Sequence, residues 1–523
     1  MAATPFYITT AIAYVNGLPH LGHAYEAILT DVMARFQRLD GKDVMFLTGT
    51  DEHGEKVAKT AEKNNIAPKE FANINAAAFE AMDKALNISY DDFIRTTEPR
   101  HYAASQAIWK KLLEKGDIYL GKYEGWYSVR EEAYFGEDEL TKNEKGQMIT
   151  PHGTEAEWVV EPSYFFKLSA YRDKLLAYYK AHPEFIQPGT RRNEIVSFVA
   201  QEGGLRDISV SRHKSRLKWG IPVPGDEGHV MYVWLDALTN YITGVGYPDE
   251  GKDSFKKYWP ADFHVIGKDI IRFHAIYWPA FLMSADITIP KTIFAHGFIN
   301  VQGEKMSKSI GNVLAPADLI KTFGLDQFRY FLMREIPHGE DGNFSPEQAV
   351  QRINADLANG LGNLMQRTLS FIYKNCDAKI PEAKSLNATD EALLANARGL
   401  TLSDMKQSVK IFRFNDALST LWKLVADANA YIDAQAPWAL KKTDTERMNT
   451  VLYVLTDVIR CLAILVQPYT PESAAKMLDQ LKVPTNERNF VHLDEKYKIK
   501  HGTIIDQPVG IFPRLNLDAE EAA

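Results

Sequence analysis

The sequence predicts an α/β fold, in which a doubly wound parallel sheet carries an inserted domain and is followed by an all-α helical bundle. Three observations predict it. Short apolar runs alternate with segments of helical periodicity, an aromatic and turn-rich stretch interrupts this alternation, and from about residue 345 onward only helical spacing remains. A chain of 523 residues is also too long for one compact core, so several domains are expected.

The first predicted strand is the β-branched and aromatic run from Phe6 to Ile12, and a Gly-Leu-Pro turn leads from it into a helix. Apolar residues at helical spacing predict that helix: Leu21, Ala24, Ile28, Val32 and Phe36. Further short strands are predicted over 44–47, 230–235, 263–267 and 292–295. Strands that alternate with helices indicate a parallel sheet of the nucleotide-binding Rossmann type, which binds ligands at the carboxyl ends of its strands.

Changes in composition along the chain divide it into five parts. We expect the two halves of the parallel-sheet domain at 1–115 and 229–290, an inserted connective domain at 116–228, a linking region at 291–344 and the helical bundle at 345–523. The insertion is aromatic and charged, as in Tyr123-Glu-Gly-Trp-Tyr127, whereas the bundle has leucines at three and four spacings.

Composition excludes several classes of protein. The two cysteines, Cys376 and Cys461, are far apart, which excludes a disulfide framework and a cysteine-based zinc site. Apolar stretches such as Cys461 to Val466 are too short to cross a bilayer, and no export signal is visible, so we expect a cytoplasmic protein without a membrane span. The formal net charge of −8 leaves a local basic surface possible.

The segment His20-Leu-Gly-His23 lies at the first strand-to-helix turn, where free backbone N–H groups and the helix dipole attract phosphate. Both histidines could donate to phosphate oxygens, and Gly22 lets a flat base approach the backbone. The alternative is a helix-capping turn with two surface histidines.

The segment Lys305-Met-Ser-Lys-Ser309 lies between Gly303 and Gly311. Its two ammonium groups, on Lys305 and Lys308, could bridge the β- and γ-phosphates of a nucleotide and follow the charge as pyrophosphate leaves. The alternative is a solvated basic loop.

The two motifs, in this order on an α/β fold with a long insertion between them, resemble the signature of class I aminoacyl-tRNA synthetases. Further segments resemble the methionine-specific members: Ala11-Ile-Ala-Tyr-Val-Asn-Gly17, Thr48-Gly-Thr-Asp-Glu-His-Gly54, Val233-Trp-Leu-Asp-Ala237, Gly267-Lys-Asp-Ile-Ile-Arg-Phe-His274 and His296-Gly-Phe-Ile299. The resemblance covers nearly the whole chain. It implies that ATP is bound by Asn16, Gly22, Gly267, Asp269, Lys308 and Ser309.

A methionine site needs a carboxylate for the α-ammonium group and a polarizable apolar pocket for the thioether. The resemblance gives Asp51 the first role and lines the pocket with Ala11, Ile12, Tyr14, Trp234, Ala237, Leu238, Tyr241, Ile270 and His274. Tyr14 and His274 could donate toward the sulfur. For Trp234, Leu238 and Ile270 the alternative is ordinary core packing. Asp236 and Asp269 would bind ribose, orient the lysine loop or cap helices.

The insertion departs from the family pattern. Many relatives carry zinc knuckles built from cysteine pairs, but here the corresponding stretches read Tyr127-Ser-Val-Arg-Glu131 and Thr150-Pro-His-Gly153. We therefore expect no protein-bound zinc and a metal-free knuckle held by packing among Trp126, Tyr127, Tyr134 and Phe135. The insertion is too short to contain the editing domain that the isoleucine, valine and leucine enzymes carry, which argues against those three. The cysteine enzyme binds its substrate through a cysteine-containing zinc site, which this chain cannot build.

In the bundle, the segment that ends at Asn363, together with Arg367, resembles the anticodon-reading helix of the family. The segment Asp433 to Trp438 resembles its second anticodon element, in which Trp438 would stack on an unstacked base and Pro437 would fix the turn. The alternatives are that Asn363 caps or pairs with a neighbouring helix and that Trp438 seals the end of the bundle.

The resemblance implies a two-step reaction. Methionine attacks Mg-ATP to give methionyl-adenylate, and the adenylate is transferred to tRNA(Met), initiator included. His20, His23, Lys305 and Lys308 would counter the charge on the phosphates. Two alternative functions remain open. One is a nucleotidyl transferase that makes an acyl-adenylate for a small-molecule amine, and the other is a catalytically inactive paralogue that binds tRNA. The residues at 291–344 would contact the tRNA stem, and we expect a monomer.

Overall fold

The computed structural model describes residues 3–201, 203, 205–306 and 312–516. The first part of the chain alternates strands and helices: β1 Pro5–Thr10, β2 Ala13–Tyr14, α1 Leu21–Leu39, β3 Asp43–Asp51, α2 Glu55–Lys63, α3 Pro68–Ala85, β4 Asp92–Arg95 and α4 Pro99–Glu114. Helix α1 buries thirteen of its nineteen residues, among them all the apolar residues that predicted it.

The interrupting segment is mainly antiparallel: β5 Ile118–Ser128, β6 Ala133–Phe135, β7 Thr141–Lys142, β8 Met148–Ile149, β9 Glu155–Phe166, α5 Arg172–Ala181, β10 Ile186–Gln187, α6 Gly189–Ala200, β11 Ile208–Ser209, β12 Ser211–His213, β13 Pro222–Val223 and β14 Asp226–Met231. Strands β5 and β9 form its long central ribbon.

The alternation then resumes with α7 Val233–Thr243, α8 Asp253–Tyr258, β15 Phe263–Gly267, α9 Trp278–Ser284, β16 Ile293–His296, β17 Ile299–Val301, β18 Glu304–Lys305, α10 Pro316–Phe323, α11 Leu325–Glu335 and β19 Gly342–Phe344. The predicted strand over 230–235 is wrong in its second half, because β14 ends at Met231 and α7 begins at Val233. Ten of the eleven residues of α7 are buried, and a short apolar run such as 230–235 can belong to a buried strand or to a buried helix, which periodicity alone does not distinguish.

The seven-stranded main sheet has the order β10-β16-β15-β1-β3-β2, with β4 paired to β3, and all its pairs are parallel. This confirms the predicted doubly wound fold. Strand β10, which lies within the interrupting segment, adds to the sheet edge through the pair Ile186 and Ile293.

Beyond Phe344 the described residues form helices and one isolated bridge, Lys379 to Ile504. The helices are α12 Pro346–Ile353, α13 Asn363–Asn375, α14 Ala388–Ala395, α15 Thr401–Val409, α16 Phe414–Gln435, α17 Pro437–Thr443, α18 Thr445–Val466 and α19 Pro471–Gln480. By length and hydropathy α18 could cross a membrane, yet 94% of its most apolar window is buried inside the protein. It is the core helix of the predicted bundle.

Candidate functional site

Four neighbouring strands of the main sheet end at one edge, and each ends at a motif that the sequence singled out. Strand β3 ends at Asp51, β15 at Gly267 and β16 at His296, while Ala11 directly follows β1. Because these strands are parallel neighbours, their carboxyl ends lie side by side, which is where a sheet of this kind is expected to bind a ligand.

His20 and His23 together cap α1. The backbone N–H of Gly22 donates to Nδ1 of His20 at 3.1 Å, and the backbone N–H of His20 donates to Nδ1 of His23 at 3.2 Å. Burial, followed by the proximity of His20, holds the pKa of His23 well below its usual value. Since Nδ1 of each ring accepts, Nε2 carries the proton and remains a neutral donor. The capping role and the phosphate-donor role are therefore compatible.

The beginning of the lysine loop lies close to this turn. A Cβ atom on Gly22 would lie 3.9 Å from the terminal methyl of Met306 and only 3.0 Å from the His20 ring. Lys305 is exposed, and its ammonium lies 4.9 Å from the centroid of Phe298. Lys308 and Ser309 lie outside the described residues.

Asp269 is exposed in a turn that directly follows β15, and Asn16 is half-buried beside β2. A Cβ on Gly267 would lie 2.7 Å from Oδ1 of Asp269, so a side chain there would displace the Asp269 carboxylate. Gly267 and Asp269 therefore lie at the carboxyl end of β15, and Asn16 follows the carboxyl end of β2.

Asp51 is buried, and its Oδ1 has no hydrogen-bond partner within the described part of the chain. Burial raises the pKa of Asp51 well above its usual value, and the carboxylates of Asp236 and Glu132 add to this shift. The backbone N–H of His53 opposes it by donating to Asp51. A carboxylate buried among other carboxylates is a site that a cation stabilises.

Several aromatic side chains were predicted for the same pocket, and two of them, Tyr14 and Tyr241, interact electrostatically with Asp51. The rings of Trp234 and Phe273 stack at 3.7 Å with 6° between their planes. Tyr241 donates its O–H to Nε2 of His274 at 2.7 Å, and Nδ1 of His274 donates to the carbonyl of Ile270 at 3.0 Å. Burial lowers the pKa of His274 to about 4, so the ring is neutral.

These hydrogen bonds correct the prediction that His274 donates toward a sulfur atom, because its single N–H is already used by a carbonyl. Tyr14 likewise donates its O–H to Glu132. Neither Tyr14 nor His274 therefore has a spare hydrogen for a sulfur atom, whereas Nε1 of Trp234 is buried without a hydrogen-bond partner among the described residues. Ala11, Ile12 and Ile270 are half-buried at the surface of the predicted pocket, whereas Ala237 and Leu238 are buried beneath it.

Asp236 corrects a second prediction. It is fully buried and accepts from Nδ1 of His53 at 2.6 Å and from Nε2 of His101 at 2.7 Å. Burial by itself raises its pKa, but the two histidines outweigh burial, so the pKa of Asp236 lies below its usual value. An aspartate so enclosed can neither reach ribose nor cap a helix at the surface.

The predicted aromatic packing of the knuckle is only partly right. Trp126 and Phe135 pack together against the small core of Leu140, Met148 and Ala156, but Tyr127 faces the opposite side and donates to Glu132. The side chain of Tyr134 lies outside the described part. Polar contacts hold the rest of the knuckle: Glu131 accepts from Thr150 and Thr154, and its other oxygen lies 2.7 Å from His152.

In the bundle, the three predicted anticodon residues lie on one exposed surface. Asn363 is exposed at the start of α13, and Arg367 follows one turn later. The guanidinium of Arg367 bonds Asp433 at 2.6 Å and lies 5.3 Å from the ring centroid of Trp438, which is 45% exposed. Ala436, at φ +43°, provides the turn before Pro437 begins α17.

Sequence reasoning missed Glu132, Phe273, His53 and His101. Phe273 lies within the segment Gly267 to His274, and its position next to His274 is the only feature of the sequence that points to it. It also missed Glu26, which accepts from the backbone N–H of Ala11 at 3.0 Å and pairs with His296 at 2.8 Å.

Comparisons with known proteins match this arrangement. A family model described as tRNA synthetases class I (M) matches residues 6–369, and one described as the anticodon binding domain of methionyl tRNA ligase matches residues 380–522. The chain is 55% identical to methionine–tRNA ligase of Mesorhizobium japonicum over 98% of both chains, and 55% identical to that of Brucella suis over 100% of both.

Solved structures are also similar. Mycobacterium tuberculosis methionyl-tRNA synthetase in complex with methionyl-adenylate has a TM-score of 0.94 and 51% identity, covering 98% of this chain and 100% of that one. The apo form of the same enzyme has a TM-score of 0.88 and 48% identity, with 98% and 99% covered.

Proposed function

The chain belongs to the methionine–tRNA ligases, which are class I tRNA synthetases, and on this premise we propose which residues perform the reaction. The enzyme activates methionine with ATP and charges tRNA with it. The observation that carries the residue assignment is the buried carboxylate of Asp51, whose Oδ1 lacks a hydrogen-bond partner among the described residues.

Asp51 binds the α-ammonium group of methionine. A cation in this place satisfies the open Oδ1 and favours the ionised carboxylate. The thioether lies against aromatic and aliphatic surface, which suits a polarizable sulfur. The pocket is lined by Ala11, Ile12, Tyr14, Trp234, Ala237, Leu238, Tyr241, Ile270 and His274.

The triphosphate of ATP lies between the N-terminus of α1 and the lysine loop. His20 and His23 donate from Nε2, and Lys305 and Lys308 supply positive charge. The proximity of the Met306 side chain to the Gly22 turn supports this placement of the beginning of the loop. The remaining contacts to ATP come from Asn16, Gly22, Gly267, Asp269 and Ser309. Mg²⁺ arrives as part of the nucleotide substrate.

In the first step the methionine carboxylate attacks the α-phosphorus in line, the bond to the bridging oxygen breaks, and pyrophosphate leaves. No protein nucleophile is needed, so catalysis consists of positioning and charge stabilisation. In the second step a hydroxyl of the 3′-terminal adenosine of tRNA attacks the carbonyl carbon of the mixed anhydride, and AMP leaves.

The bundle reads the anticodon of tRNA(Met), initiator included, through Asn363, Arg367 and Trp438. Their common exposed surface and the partly exposed indole suit an unpaired base. We assign the catalytic sheet to 1–115 and 229–290, the connective domain to 116–228, the stem-contact region to 291–344 and the anticodon-binding bundle to 345–523.

The enzyme works as a cytoplasmic monomer without protein-bound zinc. Where relatives place cysteine pairs, the oxygen and imidazole groups of this knuckle bond one another around Glu131. Hydroxyl groups are poor zinc ligands compared with thiolates.

The test is ATP–pyrophosphate exchange with each proteinogenic amino acid offered singly. Exchange with methionine alone supports the proposal. Exchange with a different amino acid would overturn the pocket assignment, and exchange without transfer to tRNA would favour the rival transferase that serves a small-molecule amine.

A further inference from the structure

Glu132 of the connective segment reaches into the catalytic half of the protein. Its Oε1 accepts from the hydroxyl of Tyr14 at 2.9 Å and from the backbone N–H of Lys56 at 2.7 Å. Its Oε2 accepts from the hydroxyl of Tyr127 at 2.5 Å. Its backbone carbonyl accepts from the hydroxyl of Tyr232 at 2.7 Å. Glu132 therefore joins β2, α2 and the residue before α7.

The conformation of Glu132 is costly. The residue is 6% exposed and has φ +52°, in the left-handed region that glutamate rarely adopts. Gly54 closes the site from the other side, since a Cβ there would lie 2.5 Å from the Tyr14 hydroxyl and 3.0 Å from Oε1 of Glu132. A strained backbone that delivers a buried carboxylate to a pocket residue points to a role in that pocket.

A carboxylate is the side chain that three converging donors require. Tyr14, Lys56 and Tyr127 each direct a hydrogen toward Glu132, and an ionised carboxylate accepts on both oxygens. Glutamine offers one accepting oxygen and two N–H donors. It can satisfy these three partners only if one of the two tyrosine hydroxyls rotates and accepts a hydrogen bond instead of donating one. Alanine satisfies none of it.

We propose that Glu132 is a positioning residue for methionine: it holds the hydroxyl of Tyr14 and thereby fixes the wall of the methionine pocket from the connective segment. The proposal rests on the assignment of Tyr14 to that pocket. Glu132 touches no reacting atom, so its effect falls on methionine binding and leaves ATP binding unchanged.

The neighbouring residue provides a matched control. Glu131 is in the same knuckle and holds Thr150, Thr154 and His152 rather than Tyr14. Glu131→Ala therefore loosens the knuckle without touching the pocket. Glu132→Ala removes the contact to Tyr14, and Glu132→Gln retains part of it.

The experiment measures KM for methionine and for ATP in pyrophosphate exchange with the full chain. We expect Glu132→Ala to raise KM for methionine by about tenfold or more, as for a lost hydrogen bond to a charged group, and Glu132→Gln to raise it less. KM for ATP stays within about twofold, and Glu131→Ala changes neither constant. Tyr14→Phe combined with Glu132→Ala should raise KM no more than the larger single change.

The proposal would be overturned if Glu131→Ala and Glu132→Ala raised KM for methionine equally. It would also be overturned if the increases in KM caused by Tyr14→Phe and Glu132→Ala multiplied in the double variant. If Glu132→Ala does not fold, the same cycle with Glu132→Gln decides the question. Absence of methionine-dependent exchange in the unmodified enzyme would instead refute the proposed function, so the two failures are distinguishable.

Discussion

Arg329 and Asp31 form a completely buried ion pair, with 2.6 Å between Nη2 and Oδ2. Arg329 lies on α11, Asp31 on α1, and the same guanidinium donates to the carbonyls of Leu86 and Pro468. One side chain thus connects the catalytic sheet, the segment after the lysine loop and the end of α18.

Removal of this guanidinium should destabilise the protein strongly. We expect Arg329→Met to cost about 3–5 kcal/mol, because it leaves the carboxylate of Asp31 buried with one partner fewer. Arg35→Met is the control: Arg35 also bonds Asp31, at 2.7 Å, but its side chain is 21% exposed. Thermal unfolding should show a much smaller loss for Arg35→Met, and equal losses would contradict the assigned importance of Arg329.

Replacement of Asp51 should abolish tight methionine binding. Asp51→Asn keeps the shape of the side chain but removes its charge, and the loss of one partner of a buried ion pair costs about 2–5 kcal/mol. KM for methionine should therefore rise about 30-fold or more, with KM for ATP nearly unchanged. A proportional rise in both constants would count against Asp51 as the ammonium ligand.

The raised pKa of Asp51 should also appear in the pH dependence of stability. A carboxyl whose pKa is raised by folding binds its proton more tightly in the folded chain, so its contribution to stability is present at low pH. The contribution is lost as the pH rises from about 4, the unfolded value, through the raised pKa. Without methionine, the unfolding temperature of the unmodified enzyme should fall relative to Asp51→Asn over this window. Saturating methionine should remove this pH-dependent fall in the unmodified enzyme, because the bound ammonium group favours the ionised carboxylate. Parallel pH profiles of the two proteins without methionine would contradict the raised pKa of Asp51.

Lys308 should act mainly in the transition state. We expect Lys308→Ala to slow adenylate formation by about 10²–10³-fold while methionine affinity changes little, since the ammonium counters charge that develops on the leaving pyrophosphate. Single-turnover measurements compared with equilibrium binding of methionine separate the two effects. Losses of the same size in both would assign Lys308 to ground-state binding.

Trp438 should matter for tRNA and not for activation. Stacking of a base on an aromatic ring is worth about 1–3 kcal/mol, so Trp438→Ala should lower kcat/KM for tRNA charging about 10–100-fold. Pyrophosphate exchange by the same variant is the internal control and should be unaffected. Normal charging would reduce Trp438 to a packing residue.

The features that were predicted correctly depend on residues close together in the sequence. The parallel sheet, the helical bundle and the placement of the His20 turn at the start of α1 follow from periodicity and turn residues. The helix from Val233 escaped prediction because its first residues continue the apolar run of β14, and a short buried run does not distinguish a strand from a helix.

The missed contacts have a different cause. Tyr14 meets Glu132 across 118 residues of sequence, and His101 meets Asp236 across 135. No spacing rule connects such partners, so only the folded chain reveals that Asp236 is enclosed by histidines and that Glu132 reaches the pocket. A buried carboxylate and a surface carboxylate look alike in one sequence.

The capping of α1 by His20 and His23 has a consequence for the timing of catalysis. The same rings that close the helix end also carry the proposed phosphate donors, so the protein orients those donors when it folds and not when ATP binds. The conformational entropy of the two imidazole rings is therefore lost during folding and not during ATP binding, and little reorganisation of these donors remains for the chemical step.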